Sequence, residues 1–351
     1  MNRRAVIILG SSGFIGRAIQ QQLSKDYTLI TVDLKPNPFE KTPNTHHHII
    51  DQGNPEQVAH LLSSLAQRSE QLVGVIHLTA YYDFRNQPDK RYTQLEQTFP
   101  QLLKGLDALL SDGAPILHSS SMAAMAPTEP GTPLSADSPR TGSWVYPQHK
   151  LTMERIIESC ELRRPVAELV LAGVYSDRGE LVPLFQQIER IRRRRPEALF
   201  FPANANRGLT YVHVNDVADA FARALVQLRD QPRVHRLLIG EPSAVTYREI
   251  HERASQEFHG YRLPLLWVPR WLAAAGAGIL GWVGDIFGFR RFLRAWMVPY
   301  AGEHFEFDLT STEASIGWKP QVHLADRLPY ILRFAKSQPT DWLAVNQARP
   351  W

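Results

Sequence analysis

Ala5-Val-Ile-Ile-Leu-Gly10-Ser-Ser-Gly13-Phe-Ile-Gly16 decides the fold. The run from Ala5 to Leu9 is entirely apolar, which suits a strand buried on both faces of a parallel sheet. Gly10 follows at once, and the apolar spacing predicts a helix from Phe14 to Leu23. In such a strand–turn–helix unit Gly10 permits the tight turn, Gly13 lets backbone approach a pyrophosphate, and Gly16 lets helix and strand pack closely. The helix N-terminus then offers unpaired N–H groups and a partial positive charge to an anion. The spacing Gly10-x-x-Gly13-x-x-Gly16 departs from the commoner G-x-G-x-x-G. The strand before it and the helix after it favour a dinucleotide site over a ligand-free glycine turn.

Outward from this unit, strands and helices alternate to about residue 172, which implies an α/β, doubly wound parallel sheet. A second strand, Thr28 to Val32, ends at Asp33, in the window where an acid meets the adenosine ribose. A carboxylate there favours NAD over NADP, and Lys35 softens that preference. A third strand, His48 to Ile50, ends at Asp51, which is either an acceptor for the adenine amino group or an ordinary strand-end turn. Residues 73–80 read as a fourth strand with His77 packed inside it, and Pro165 to Leu171 as a later one. The predicted domains are a cofactor unit, 1–173 and 210–240, and a smaller, mostly helical substrate unit, 174–209 and 241–351. Pro127 to Pro139 reads as a surface loop near the site.

Tyr146 and Lys150 stand four residues apart, so a helix carries both on one face. A free phenol, pKa ~10, is a poor base near neutrality. An adjacent ammonium favours the phenolate, so Lys150 is expected to lower the pKa of Tyr146 and let it exchange a proton with a substrate alcohol or ketone. Ile116 to His118 read as a strand that delivers Ser119, Ser120 and Ser121 to its C-terminal end, where open α/β sheets place their sites. One of the three hydroxyls is expected to donate to a substrate oxygen.

These pieces together resemble the extended short-chain dehydrogenase/reductase family, the NAD-dependent epimerase/dehydratase group. The resemblance rests on Gly10–Gly16, His77-Leu-Thr-Ala80, Ser119–Ser121, Tyr146–Lys150, Gly173-Val-Tyr-Ser176, Tyr211-Val-His-Val-Asn-Asp216 and Ile316-Gly-Trp-Lys-Pro320, in that order across nearly the whole chain. It implies Ser121, Tyr146 and Lys150 as the catalytic set, with Tyr146 and Lys150 also contacting the cofactor and Lys150 binding its ribose. It implies NAD held by Gly10, Ser12, Gly13, Phe14, Ile15, Gly16, Asp33, Asp51, Leu78, Thr79, Ala80 and Ser119. Substrate contacts are assigned to Tyr81, Ser121, Met122, Tyr175 and Arg207. It also implies a homodimer through two helices of the cofactor unit.

The departures bear on the substrate. Members that handle nucleotide-linked sugars often carry an Arg seven residues before the aspartate of the Val-x-Asp stretch, where it grips the diphosphate. Here that position is Leu209, and Arg207 lies two residues away. The helix before the serine strand usually holds an Asn, where this chain has Leu95 or a neighbour. Three functions follow. The leading one is a dehydrogenase moving hydride between NAD and a secondary alcohol or ketone. The alternative is a nucleotide-sugar epimerase or dehydratase that retains its NAD. The third, from another class, is a cofactor-binding regulatory protein.

Composition is that of a globular protein of 351 residues, with 44% hydrophobic and 21% charged residues and a formal net charge of +4. Much of the basic excess is local, in Arg190 and Arg192 to Arg195, a solvated helix end or a contact for phosphate or anionic lipid. Few aromatic residues interleave with it, and no nucleic-acid motif is visible. A single cysteine, Cys160, excludes an intramolecular disulfide and fits a reducing, cytoplasmic compartment. His46 to His48 lack further ligands for a metal site. Residues 263–289 carry only Arg270 and Asp285 as charges, and the uncharged stretch from Trp271 to Gly284 is short of the ~20 residues that span a bilayer. It reads as a helix over the active-site cleft, as a subunit or peripheral membrane contact flanked by Trp267, Trp271, Trp282, Arg290, Arg291 and Arg294, or, least favoured, as a membrane span. It also resembles the hydrophobic segment of the steroid and sterol dehydrogenase branch, which tilts the expected substrate toward something less polar than a sugar nucleotide.

Overall fold

The computed structural model describes residues 4–39, 44–231, 234–286 and 292–346. Seven parallel strands form its sheet: β1 (Arg4–Leu9), β2 (Thr28–Asp33), β3 (Thr45–Ile49), β4 (Gln71–His77), β5 (Ile116–Ser121), β6 (Val166–Leu171) and β7 (Val234–Ile239). Their order is β7-β6-β5-β4-β1-β2-β3. The direction of winding reverses between β1 and β4, so the crevice beyond their C-terminal ends is the expected binding edge. Helices α1 (Phe14–Leu23), α2 (Pro55–Ala66), α3 (Lys90–Leu109) and α4 (Val145–Ser159) follow the first five strands, and α5 (Val182–Arg192) and α6 (Val214–Gln227) come next. One face of the sheet is covered by Ile19 and Leu23 of α1 with Val217 and Phe221 of α6. The other is covered by Leu61 of α2, Phe99 and Leu103 of α3 and Ile157 of α4.

Several strand boundaries differ from the sequence expectation, among them that of β4, which stops at His77 and leaves residues 78–80 outside the strand. β5 runs on through all three serines, because they pair in register with Leu169 to Leu171 of β6. β3 begins at Thr45, three residues early, and is an edge strand of exposed and half-buried histidines with no apolar run to mark it. His47 is used locally there, with Nδ1 3.0 Å from Thr31 Oγ1 and Nε2 2.9 Å from the Lys35 carbonyl.

A second core lies between α5 and three later helices, α7 (Tyr247–His259), α10 (Leu324–Ser337) and α11 (Pro339–Val345). It is filled by Leu184, Ile188, Ile250, Leu328, Ile331 and Trp342. Before α10 the chain passes through α8 (Arg270–Ile286) and α9 (Thr310–Ile316). Phe305, Phe307, Ile316 and Trp318 pack on the larger, sheet-centred core, although the sequence boundary places them in the second unit. Trp318 Nε1 donates to the Asp216 carbonyl at 3.0 Å, and Asp216 Oδ2 accepts from the Gln321 and Val322 amides. The Val-x-Asp and Gly-Trp-x-Pro stretches are therefore two halves of one structural tie.

The arginine run is partly absorbed within the fold. Buried Glu189 holds Arg192 and Arg193 and accepts from Trp342 Nε1 at 2.9 Å. Arg194 then leaves the helix at φ +50°.

Glu241, just past β7, is buried and accepts the Leu324 amide at 2.9 Å at the start of α10. Burial pushes its carboxyl up to about 8. A carboxyl raised above its unfolded value contributes stability that is full below the unfolded pKa, ~4.3, and is lost as pH rises through the folded one. Glu241→Gln is therefore expected to leave the melting temperature unchanged near pH 4 and to raise it by several degrees near pH 9. Thermal melts of both proteins across that range check the sign.

Candidate active site

At the C-terminal end of β1 the chain turns at Gly10 with φ +82°, a conformation open to glycine. Its amide donates to the Val32 carbonyl at 2.8 Å, which ties the loop to β2. A Cβ on Gly16 would lie 2.5 Å from the Gly10 carbonyl oxygen and 2.6 Å from that of Ser11, so α1 starts as close to the loop as backbone permits. A Cβ on Gly13, by contrast, would meet only the Gly10 oxygen at 3.4 Å, which leaves the loop mouth open to a ligand. Gly13 caps α1 without a side-chain bond, so no side chain competes for the first N–H groups of the helix. Asp33 faces this mouth: Oδ2 accepts from the Ser12 amide at 2.9 Å and Oδ1 from the Lys35 amide at 3.1 Å. Ser12 Oγ turns back to the Lys35 and Pro36 carbonyls. Gly16→Ala is expected to abolish dinucleotide binding, because the new methyl meets two backbone carbonyls; calorimetric titration with NAD reads the loss.

The next strand end brings up Leu78, Thr79 and Ala80, all partly accessible. Thr79 Oγ1 accepts from Gln52 Nε2 at 2.7 Å, and the Gln52 carbonyl accepts from Thr98 of α3 at 2.5 Å. Gln52 was not expected from the sequence. It is buried and its Oε1 has no hydrogen-bond partner. Neighbouring Asp51 is exposed and forms a local turn, Oδ1 accepting from the Gly53 amide at 2.9 Å.

Beneath this edge, His77 of β4 and His118 of β5 are buried with their Nδ1 atoms 3.0 Å apart, stacked on each other and against Phe99. Burial drives the His77 imidazole down to about 3 and His118 well below its ordinary value, so both are neutral core groups.

β5 and α4 assemble the reacting groups. Ser121, the last residue of β5, has its hydroxyl in hydrogen-bond contact with the Tyr146 phenol and accepts from the Ala123 amide at 3.3 Å. Ser120 points the other way, into a buried contact with Glu154 and Arg140. Ser119 presents its carbonyl to Lys150 Nζ at 2.8 Å. Burial pushes the Tyr146 phenol up to about 12, offset in part by the Ser121 hydroxyl. This corrects the expectation that Lys150 acidifies it. The Lys150 nitrogen lies 5.9 Å from the ring centroid and is itself pulled down to about 8 by burial. In the protein's own field, desolvation of the phenol sets the direction of its shift.

Around Tyr146 stands an aromatic wall. Tyr82 meets its ring edge-on at 4.6 Å and Trp144 lies at 5.6 Å. Trp144 in turn contacts Phe84 and Trp296, and Phe84 contacts Phe292. Tyr300 Oη donates to the Ser143 carbonyl at 2.6 Å, pinning the turn Ala295–Tyr300 onto the loop before α4. α8 packs on that same turn. Tyr81 sits at the rim: its hydroxyl donates to Asp83 and accepts from Arg85 and Arg91, whose guanidinium stacks 3.7 Å from the ring centroid. Met122 is half-buried directly after Ser121.

The remaining expected substrate residues lie elsewhere. Tyr175 is fully buried in the second core, edge-on to Tyr211 and His213, with no surface to offer a ligand, which corrects its assignment as a substrate contact. Leu209 is half-buried and pairs with Val245. Arg207 lines a cavity of about 350 Å³ with Asn204, Trp267, Arg270 and Gly302, and is ion-paired to Glu129. Arg290 and Arg291 lie outside the described residues, among which no helix is long and apolar enough to cross a membrane.

A family model described as the NAD dependent epimerase/dehydratase family matches residues 6–240, and the chain belongs to that family of enzymes. No curated protein matches it by sequence. Solved structures with the same fold include the UDP-glucose 4-epimerase of Thermus thermophilus in complex with NAD, at 19% identity and a TM-score of 0.68, covering 95% of this chain and 99% of that one. The UDP-glucuronic acid 4-epimerase of Bacillus cereus, in complex with UDP-glucuronic acid and NAD, gives 17%, 0.67, 95% and 99%. The Bordetella bronchiseptica enzyme WbmG in complex with NAD gives 14%, 0.68, 96% and 95%.

Proposed function

We propose, from that membership and the geometry of the site, that the chain moves a hydride between NAD and a secondary carbinol carbon, and that its substrate is a nucleotide-linked sugar that it epimerises. One observation carries the chemistry: the Ser121–Tyr146 contact ends β5 on the same sheet edge as the glycine cradle that ends β1. The residues fit the dinucleotide. The open face of Gly13, the uncapped start of α1, Asp33 and the spare Gln52 Oε1 supply a phosphate cradle, a ribose acceptor and a further acceptor beside Asp51. NAD, when bound, supplies a hydride acceptor and donor at nicotinamide C4 and a positive charge in its oxidised form.

In this reading Tyr146 takes the proton of the substrate hydroxyl and later returns it, while Ser121 donates to the same oxygen. Lys150 braces the Ser119 carbonyl and holds a cofactor ribose. Positive charge beside the phenol would reverse the burial-driven rise in its pKa. The cavity with Arg207 and Arg270 offers cations for a diphosphate, in place of the grip that Leu209 lacks. The substrate would lie between the sheet unit, 1–173 and 210–240, and the second unit, 174–209 and 241–351.

The aromatic wall favours a second reading, net oxidation or reduction of a less polar secondary alcohol or ketone. One experiment separates them. Purified protein is given NAD with nucleotide sugars, sterols and other apolar alcohols, and both NADH absorbance and product stereochemistry are followed. An isomerised sugar nucleotide without net NADH supports the epimerase. NADH from an apolar alcohol replaces it with the dehydrogenase. NAD binding with neither reaction points to a non-catalytic role.

A further inference from the structure

The helix that carries Tyr146 and Lys150 starts without a cap of its own. Trp144, at the N-cap position of α4, provides no side-chain hydrogen bond, so the first amide of the helix needs an acceptor from elsewhere. It comes from a loop far away in the chain: Asn86 Oδ1 accepts from the Val145 amide at 3.1 Å. Val145 opens α4 and directly precedes the reacting phenol.

The backbone of Asn86 has φ +54°, in the left-handed region that asparagine tolerates better than most residues with a side chain. Buried Asp83 closes the turn that leads to it, Oδ1 accepting from the Arg85 amide at 2.9 Å. From there every second residue touches the start of α4. Tyr82 meets the Tyr146 ring at 4.6 Å, Phe84 stacks on Trp144 at 5.8 Å, and Asn86 holds Val145. Backbone conformations of this kind persist only where the surroundings fix them, and they gather at functional sites. We propose that Asn86 is a positioning residue, which caps α4 from outside and thereby fixes where the Tyr146 phenol lies against Ser121.

The proposal rests on the proton-exchange role given to Tyr146 above, whatever the substrate. The phenol is faced by Ser121 of β5, Lys150 of α4 itself, Tyr82 of the loop and Tyr92 of α3. Among them the Ser121 hydroxyl favours its ionised form, through a contact that depends on where the helix begins.

The test is a tyrosinate titration of the NAD-loaded protein by near-ultraviolet absorbance, with the signal of Tyr146→Phe subtracted. Asn86→Gly keeps the backbone conformation and removes the acceptor, so it should melt close to wild type and still bind NAD. It is expected to hold about tenfold less Tyr146 phenolate than wild type at a given pH. Asn86→Asp, which keeps both the acceptor and the left-handed backbone, should return the titration toward wild type. An Asn86→Gly titration that overlays wild type overturns the proposal, as does an Asn86→Asp titration that matches Asn86→Gly. Loss of NAD binding or of cooperative melting in Asn86→Gly makes the residue a structural cap alone. Wild type that forms no Tyr146 phenolate with NAD bound removes the proton-exchange role itself, and the proposal with it.

Discussion

Tyr146→Phe is expected to lower turnover by about a thousandfold, within the 10²–10⁴ range of positioned acid–base groups, while NAD still binds. The substitution removes one oxygen and keeps the ring that packs against Tyr82 and Trp144. Its effect is therefore confined to proton exchange and to the Ser121 contact. Single-turnover hydride transfer, measured beside calorimetric NAD titration, separates chemistry from binding. Turnover that survives within tenfold would move the proton-exchanging role to another group.

Arg140→Ala is expected to be the most destabilising single change near the site, by about 3–5 kcal/mol. Arg140 holds Glu154 and the Ser120 hydroxyl in a nearly buried cluster, and Glu168 close by is fully buried, with its carboxyl pushed up to about 7. Removing the guanidinium leaves the Glu154 carboxylate buried without its cation. The same argument predicts recovery when the charge is removed from both sides, so Arg140→Met with Glu154→Met should regain most of the loss. Denaturant midpoints of the three proteins check both halves. Because Glu154 follows Lys150 by one helical turn and raises its pKa, the single variant should also shift the pH profile of turnover.

What could be read from the sequence was what depends on neighbours along the chain. Ala5 to Leu9, Gly10, Gly16 and the Tyr146–Lys150 spacing are local patterns, and the structure brings them to one edge of the sheet. The sign of the Tyr146 pKa shift was not local, because Tyr82, Trp144 and their neighbours come from separate segments and set its desolvation. Ser120 and Ser121 are indistinguishable in a run of three serines; strand alternation turns one to Arg140 and Glu154 and the other to the phenol. Gln52 left no signal, since a strand-end glutamine is ordinary until Thr79 and Thr98 close on it. The apolar stretch of α8 was plain in the sequence, but only the fold shows which of its faces remains uncovered.

The two imidazoles under the sheet edge hold one hydrogen between their facing Nδ1 atoms, so one ring donates and the other accepts. The accepting ring cannot gain a proton at Nδ1 without setting two donors nose to nose, and the donating ring can gain one only at Nε2, against the burial that holds both rings neutral. Unfolding frees both rings to ordinary pKa values, ~6.5, so the unfolded chain takes up as many as two protons there that the native core refuses. Native stability from this pair is complete above that value and drains away as the solution is acidified below it. The same contact that fills the space between β4 and β5 thus couples unfolding to proton uptake, so that acid unfolding is steeper than the carboxylates alone would give.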